Sequence, residues 1–213
     1  MSGWDCQEVG GQGADRSAGL AGAGGRLERV QMVRRHLEDL PTFSLPTGYA
    51  VRGFQVGDAA TWTRLVQAAD LHQAVTADRH REVFGEDLET LRQRQLFLTA
   101  PGGEAVGTAT AWYGSDGWER DWGRVHWVAI RPDHQGRGLS KPLLQAVLEQ
   151  LRQLGHRRAY LITETVRWAA LRLYLRFGFE PELRRAEDRS VWTDLLRAGL
   201  PVALPDCGSG RVR

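Results

Sequence analysis

One stretch dictates the architecture more than any other: Val128-Ala-Ile-Arg-Pro-Asp-His-Gln-Gly-Arg-Gly-Leu-Ser140. Val125 to Ile130 is made mostly of β-favouring residues and breaks at Arg131-Pro132-Asp133. From Gly138 to Leu154, Leu139, Leu143, Leu144, Val147, Leu148, Leu151 and Leu154 fall on one helical stripe, and Gly155 stops it. Pro142 is tolerated only in a first turn, which places the helix start near Leu139 or Ser140. A strand therefore feeds a glycine turn that opens directly into a helix. Gly136 and Gly138 let the backbone turn tightly and come close to a ligand. The first N–H groups of the helix lack internal partners and carry the positive end of its dipole, which suits a phosphate or pyrophosphate. A tight turn with no ligand is the alternative. Lys141 comes three residues too late for a Walker loop, and the glycines are out of register for a dinucleotide fingerprint.

The rest of the chain supplies the layers around this unit. Tyr49 to Phe54 alternates as a strand, and Ala59 to Leu71 is a helix with Trp62, Leu65, Val66 and Ala69 on one face. Residues 72–84 read as a polar loop, and Glu86 to Arg94 as a short helix. Gln95 to Ala100 and Ala105 to Tyr113 form a hairpin across Pro-Gly-Gly-Glu. An acidic, tryptophan-rich loop spans Ser115 to Trp122. Ala159 to Thr163 is a strand, Arg167 to Phe177 a helix closed by Gly178, and Phe179 opens a further short strand. Ser190 caps a last helix through Arg197. The fold class is α/β, a mixed, mainly antiparallel central sheet with helices on both faces. Residues 1–31, with eight glycines in their first 25 positions, read as a disordered, dispensable extension, 32–200 as the domain and 201–213 as a flexible tail.

Composition narrows the function classes. No apolar run reaches the roughly 18 residues of a membrane span, and the N-terminus carries no secretory signal. Cys6 and Cys207 form neither a disulfide framework nor a zinc-ligand pattern, which fits a cytoplasmic protein without a metal. The chain has 27 arginines, one lysine and no asparagine, the signature of a GC-rich coding sequence rather than of phosphate binding. Residues 1–119 carry a net charge of −5 and residues 120–213 a net of +7, so the basic half suits an anionic partner. A nucleic-acid partner is not expected, since no binding motif or clustered basic face accompanies the arginines.

Gln135-Gly-Arg-Gly-Leu-Ser140 resembles the Gln/Arg-x-x-Gly-x-Gly/Ala loop of the GNAT superfamily of acyl-CoA-dependent N-acetyltransferases. About thirty residues later, Ala170-Leu-Arg-Leu-Tyr-Leu-Arg-Phe-Gly-Phe179 resembles that family's second motif, a helix carrying Leu-Tyr and ending in Gly-Phe. The resemblance runs from about Tyr49 to Pro181. It implies transfer of an acetyl group from acetyl-CoA to an amine through a ternary complex; a homodimer is one assembly open to the chain. Backbone groups of Val128, Ala129 and Ile130 would pair with the pantetheine arm. Gln135, Gly136, Arg137, Gly138, Leu139 and Ser140 would hold the pyrophosphate by main-chain N–H groups, and Tyr174 would sit near the sulfur. Ser140 stands where Gly or Ala is usual, and Arg167 where asparagine is common.

Acetyl transfer needs a deprotonated amine, a polarised thioester carbonyl and a proton for the departing thiolate. Tyr174 is the candidate acid, with packing as its alternative. Many members of the family use a glutamate as base on the strand before the loop; here His126 occupies that strand, on the face of Arg124 and Val128 by simple alternation. Glu164 is the second choice. Glu119 and Asp121 act through water or attract a cationic acceptor. Trp112, Trp118, Trp122 and Trp127 either line the acceptor cleft or pack. The competing reading is the same fold retaining acyl-CoA without catalysis.

Overall fold

The computed structural model describes residues 27–69, 75–114 and 118–205. Its strands are β1 (Arg29–Arg34), β2 (Ala50–Gly53), β3 (Gln95–Thr99), β4 (Ala105–Tyr113), β5 (Trp122–Ile130), β6 (Arg158–Glu164) and β7 (Glu180–Glu182). Its helices are α1 (Asp58–Ala69), α2 (Arg79–Phe84), α3 (Leu88–Arg94), α4 (Ser140–Gln153), α5 (Trp168–Arg176) and α6 (Ala186–Arg197). The strands form one sheet in the order β2-β3-β4-β5-β6-β1-β7. Every neighbouring pair is antiparallel except β5 and β6. This is the mixed, mainly antiparallel sheet that the pattern predicts.

Strand alternation sorts the core into two layers. Leu96 and Leu98 of β3, with Ala109 and Ala111 of β4, meet Leu143, Leu144, Val147, Leu148 and Leu151 of α4. Each buried leucine or valine among them contributes roughly 1.5–3 kcal/mol. Leu171 of α5 and Trp192 of α6 join that layer. Phe97 points the other way and packs with Trp62, Leu65 and Val66 of α1, Phe84 of α2 and Leu91 of α3. Helices thus cover both faces.

Four expectations need correction. The boundary at residues 31 and 32 falls inside β1, whose Val30 and Met32 are buried and whose Arg29 to Arg34 pair with Glu164 to Ala159 of β6. The sheet needs this strand to cover β6, so the domain begins before Met32; residues 1–26 lie outside the described ones. The tail does not begin at 201: Val202 is buried, and Arg189 donates to the carbonyl of Pro205 at 2.7 Å. Within 72–84, the segment Arg79–Phe84 is helical, because His80 and Phe84 bury against Trp62. Finally, α6 starts at Ala186, not Ser190; Asp188 folds back to accept from the N–H groups of Arg184 and Arg185 at 2.9 and 2.8 Å.

The Gly178 turn also has a packing reason. Arg34 is buried, and its guanidinium donates to the carbonyl of Phe177 at the end of α5 and to those of His36 and Glu38. Gly178 has φ of +72°, and a Cβ there would lie 2.6 Å from Arg34 Nη1. Only glycine combines that conformation with that contact.

Candidate active site

The site begins where two parallel strands part. β5 and β6 pair only at Trp122–Arg158, Gly123–Ala159 and Arg124–Tyr160. Beyond Arg124 the strands separate, and a cleft of about 1300 Å³ opens between them. Val128, Ala129 and Ile130 line it, so one backbone edge of β5 is left without a strand partner on that side.

At the end of β5 the chain makes a short helical turn, Pro132–His134, and Gln135 Nε2 donates back to the carbonyl of Ile130 at 2.8 Å. Gly136 and Gly138 take φ of +74° and +76°, and a Cβ on either would meet nothing within 4 Å. These glycines are set by conformation and by the open space in front of them, not by packing. α4 then starts at Ser140 with no side-chain cap on its first turn. Uncapped N–H groups beside left-handed glycines form an anion-binding concavity. Gln135, Gly136, Gly138, Leu139 and Ser140 all line the cleft. Arg137 does not: its guanidinium donates to Tyr49 Oη at 3.2 Å and to the carbonyl of Asp133 at 3.0 Å. Tyr49 in turn shares a 3.0 Å hydrogen bond with His134 Nδ1.

β5 is not a regular strand. Thr108 pairs with Ala129 and Thr110 with His126, so Trp127 and Val128 together oppose Ala109. This is a β-bulge, and Trp127 sits at its centre with φ of +51°. A bulky residue in the left-handed region is held there by its surroundings. The Trp127 ring packs edge-on against Trp62 at 5.1 Å. The bulge overturns the expectation from simple alternation. His126 and Trp127 both contact the α1–α2 side, whereas Val128 packs in the α4 layer. His126 therefore does not share a face with Val128.

A family of acetyltransferases described as the GNAT family matches residues 63–179, more than half of the chain. The chain belongs to that family. Mycothiol acetyltransferase of Actinosynnema mirum is 33% identical over 174 residues, covering 79% of this chain and 57% of the relative. Mycothiol acetyltransferase of Streptomyces coelicolor is 32% identical over 162 residues, covering 72% and 50%. This GNAT chain spans about half the length of the curated relatives it matches. A GCN5-related N-acetyltransferase from Sphaerobacter thermophilus superposes with a TM-score of 0.60 at 25% identity, covering 73% of this chain and 49% of that one. The ribosomal-protein-S18-alanine N-acetyltransferase from Escherichia coli shares the fold, with a TM-score of 0.52, 20% identity and coverage of 63% and 79%.

In this GNAT cleft the two layers deliver different groups. Tyr174 comes from α5 in the α4 layer, is buried, and meets Phe179 edge-on at 5.9 Å. Burial pushes its phenol up to about 12, against a smaller opposing pull from Arg167. His126 comes from the opposite face, half-buried beside Phe84. Burial, and then the guanidiniums of Arg124 and Arg79, hold its imidazole well below the ordinary range, so it is neutral at pH 7. Glu164 lines the cleft, is buried, and accepts from Arg167 Nε at 2.9 Å. Glu119 and Asp121 do not reach the cleft; both are paired with Arg158 at the far end of β5, at 3.0 and 2.7 Å. Of the four tryptophans, Trp127 alone lines the cleft. Trp118 stacks on Tyr160 at 4.3 Å, Trp122 leans on Trp118 and Trp112 on Phe84.

Sequence reasoning missed Arg29, Gln31 and Arg79, which also line the cleft. A signal for the first two exists in the alternation of Val30 and Met32 with Arg29 and Gln31. Among the described residues no cluster of three or more His, Cys, Asp or Glu is placed to hold a metal ion, and no helix is long and apolar enough to cross a membrane.

Proposed function

We propose that this chain transfers an acetyl group from acetyl-CoA to an amine by direct attack in a ternary complex. The observation that carries this reading is the unpaired edge of β5, which ends in the glycine turn and passes between Tyr174 on one face and His126 on the other. A pantetheine arm along Val128 to Ile130 completes the ladder, and its pyrophosphate rests on the N–H groups of residues 135–140. Arg137 takes part through its backbone, with its side chain bracing the turn from outside.

The amine then approaches from the α1–α2 side. Its nitrogen attacks the thioester carbon while neutral His126 accepts the proton. An N–H freed by the bulge near Val128 faces the oxygen that gains charge. As the carbon–sulfur bond breaks, Tyr174 donates a hydrogen bond to the thiolate from the other side. Holding both substrates together makes the attack effectively intramolecular. Cytoplasmic placement fits this donor and the pair of cysteines.

The test is release of free thiol from acetyl-CoA across an amine panel, with a mycothiol-related acceptor among its members. Turnover with at least one amine is expected, and acetyl-CoA should raise the melting temperature. A rise in melting temperature without any turnover would favour the non-catalytic acyl-CoA-binding reading.

A further inference from the structure

The hydroxyl of Tyr174 can serve the cleft only if its ring is held, and Tyr174 stands in the last turn of α5, where helices tend to fray. The chain beyond it counters that tendency. The carbonyl of Tyr174 accepts from the N–H of Phe179 at 3.0 Å, and that of Leu175 from Gly178 at 2.9 Å. With Gly178 at φ of +72°, this pair of bonds is a Schellman cap. In such a cap the residue after the glycine commonly packs back on the residue whose carbonyl it holds, and the Phe179 ring meets Tyr174 edge-on at 5.9 Å. Backbone and ring of Tyr174 are therefore fixed by one turn, Phe177 to Phe179.

That turn is gripped from another part of the chain. Arg34, buried at the end of β1, donates through Nη1 to the carbonyl of Phe177, the residue between helix and glycine. Its Nε donates to the carbonyl of His36 at 2.9 Å, and its Nη2 to those of Glu38 and Asp39 at 2.9 and 3.3 Å. Four main-chain carbonyls thus satisfy a buried cation, and it lies at the negative end of the α5 dipole. The same guanidinium leaves no room for a side chain at Gly178, whose Cβ would lie 2.6 Å from Nη1. Arg34 itself does not line the cleft.

From this arrangement we infer that Arg34 is a positioning residue for acetyl transfer: by gripping the cap of α5 from β1, it sets where the Tyr174 hydroxyl stands in the cleft. The inference rests on the acetyl-transfer reading and adds to it a residue that acts only through Tyr174. Lysine at this position keeps the charge but lacks the planar fork that reaches Phe177, His36 and Glu38 together. A cap released in this way lets the hydroxyl drift, and a misplacement of about 1 Å can cost up to about a hundredfold in rate.

The experiment places Arg34→Lys in the parent and in Tyr174→Phe. In the parent, kcat should fall by about three- to tenfold while KM for acetyl-CoA stays within about twofold. In Tyr174→Phe the same substitution should change kcat by less than about twofold, because no hydroxyl remains to be misplaced. An equal loss in both backgrounds overturns the inference. Should Arg34→Lys fail to fold, Gly178→Ala displaces the guanidinium with its Cβ, and the same comparison decides with the same outcomes. A second readout needs no turnover: in protein labelled with carbon-13 at the tyrosine ζ position, the Tyr174 signal is the one missing from Tyr174→Phe. It should shift in Arg34→Lys while the signal of Tyr160, on the strand beside β1, stays in place. A shift of both signals would reveal general loosening of β1 and overturn the positioning role, as would a shift of neither. If Tyr174 alone moves but the parent acetylates no amine, the grip on Tyr174 stands and the acetyl-transfer reading falls.

Discussion

Tyr174 and His126 occupy opposite faces of the sheet, and burial shifts their ionisation in opposite directions. Burial keeps the phenol protonated to about 12, so it can donate at any neutral pH. Tyr174→Phe retains the ring that packs on Phe179 and removes only the hydroxyl. Turnover should fall by roughly one to three orders of magnitude with little change in acetyl-CoA affinity, as steady-state rates and calorimetry would show. Full turnover in the variant would leave Tyr174 as a packing residue. The imidazole of His126 is held low, first by burial and then by Arg124 and Arg79. As a base it works only when neutral, so the acidic limb of kcat/KM should lie well below pH 6.5, and His126→Ala should abolish it. An unchanged limb would transfer the role to Glu164. The sequence pointed to Tyr174, His126 and the loop residues because motif and spacing are local. It could not show that Trp127 takes a positive φ, and so mispaired the faces of His126 and Val128. Arg79 was hidden because a six-residue, highly charged helix has too little periodicity to stand out.

At the scale of elements, the turn and α4 were legible almost to the residue, because a leucine stripe, a proline and two glycines each impose a geometry, whereas β5 begins at Trp122, which reads as loop, three residues before the strand expected from Val125. β1 was not, because its alternation abuts a glycine-rich run and its partners lie more than 120 residues away. The parting of β5 from β6 was equally invisible, since pairing between strands is a long-range property. Gly138 gives the sharpest element-level test. Its φ of +76° makes a side chain costly by about 1–2 kcal/mol even in open space. Gly138→Ala should therefore loosen the turn and raise KM for acetyl-CoA several-fold. The variant should remain folded by circular dichroism, since no neighbour lies within 4 Å. An unchanged KM would remove the turn from donor binding.

The whole molecule is built to be acid-sensitive. His80, His126 and His156 are all shifted below 6.5, with burial the largest cause in each case. The folded state therefore binds fewer protons than the unfolded chain once the pH drops below about 6.5. Stability is complete above that pH and declines as it falls toward the folded-state values. The slope approaches about 1.4 kcal/mol per pH unit for each histidine that stays neutral. Melting temperature should fall steadily between pH 6.5 and 5, and a flat profile would show that the imidazoles protonate at no cost. Integrity also depends on the N-terminal end. A chain beginning at Met32 loses Val30, the pairing of Arg29, Val30 and Gln31 with β6, and the two hydrogen bonds between Glu28 and Thr165. Its melting temperature should drop by roughly 5–10 °C, about what a few kcal/mol produces in a domain this size. The position of β1 also sets an order of events. It leaves the ribosome before any other strand of the sheet, yet its neighbours, β6 and β7, are made after residue 157. Strands β2 to β5 can assemble during synthesis, while an early strand waits with both edges open until residues 158–182 have been made. Nascent chains halted before β6 should thus be the aggregation-prone species.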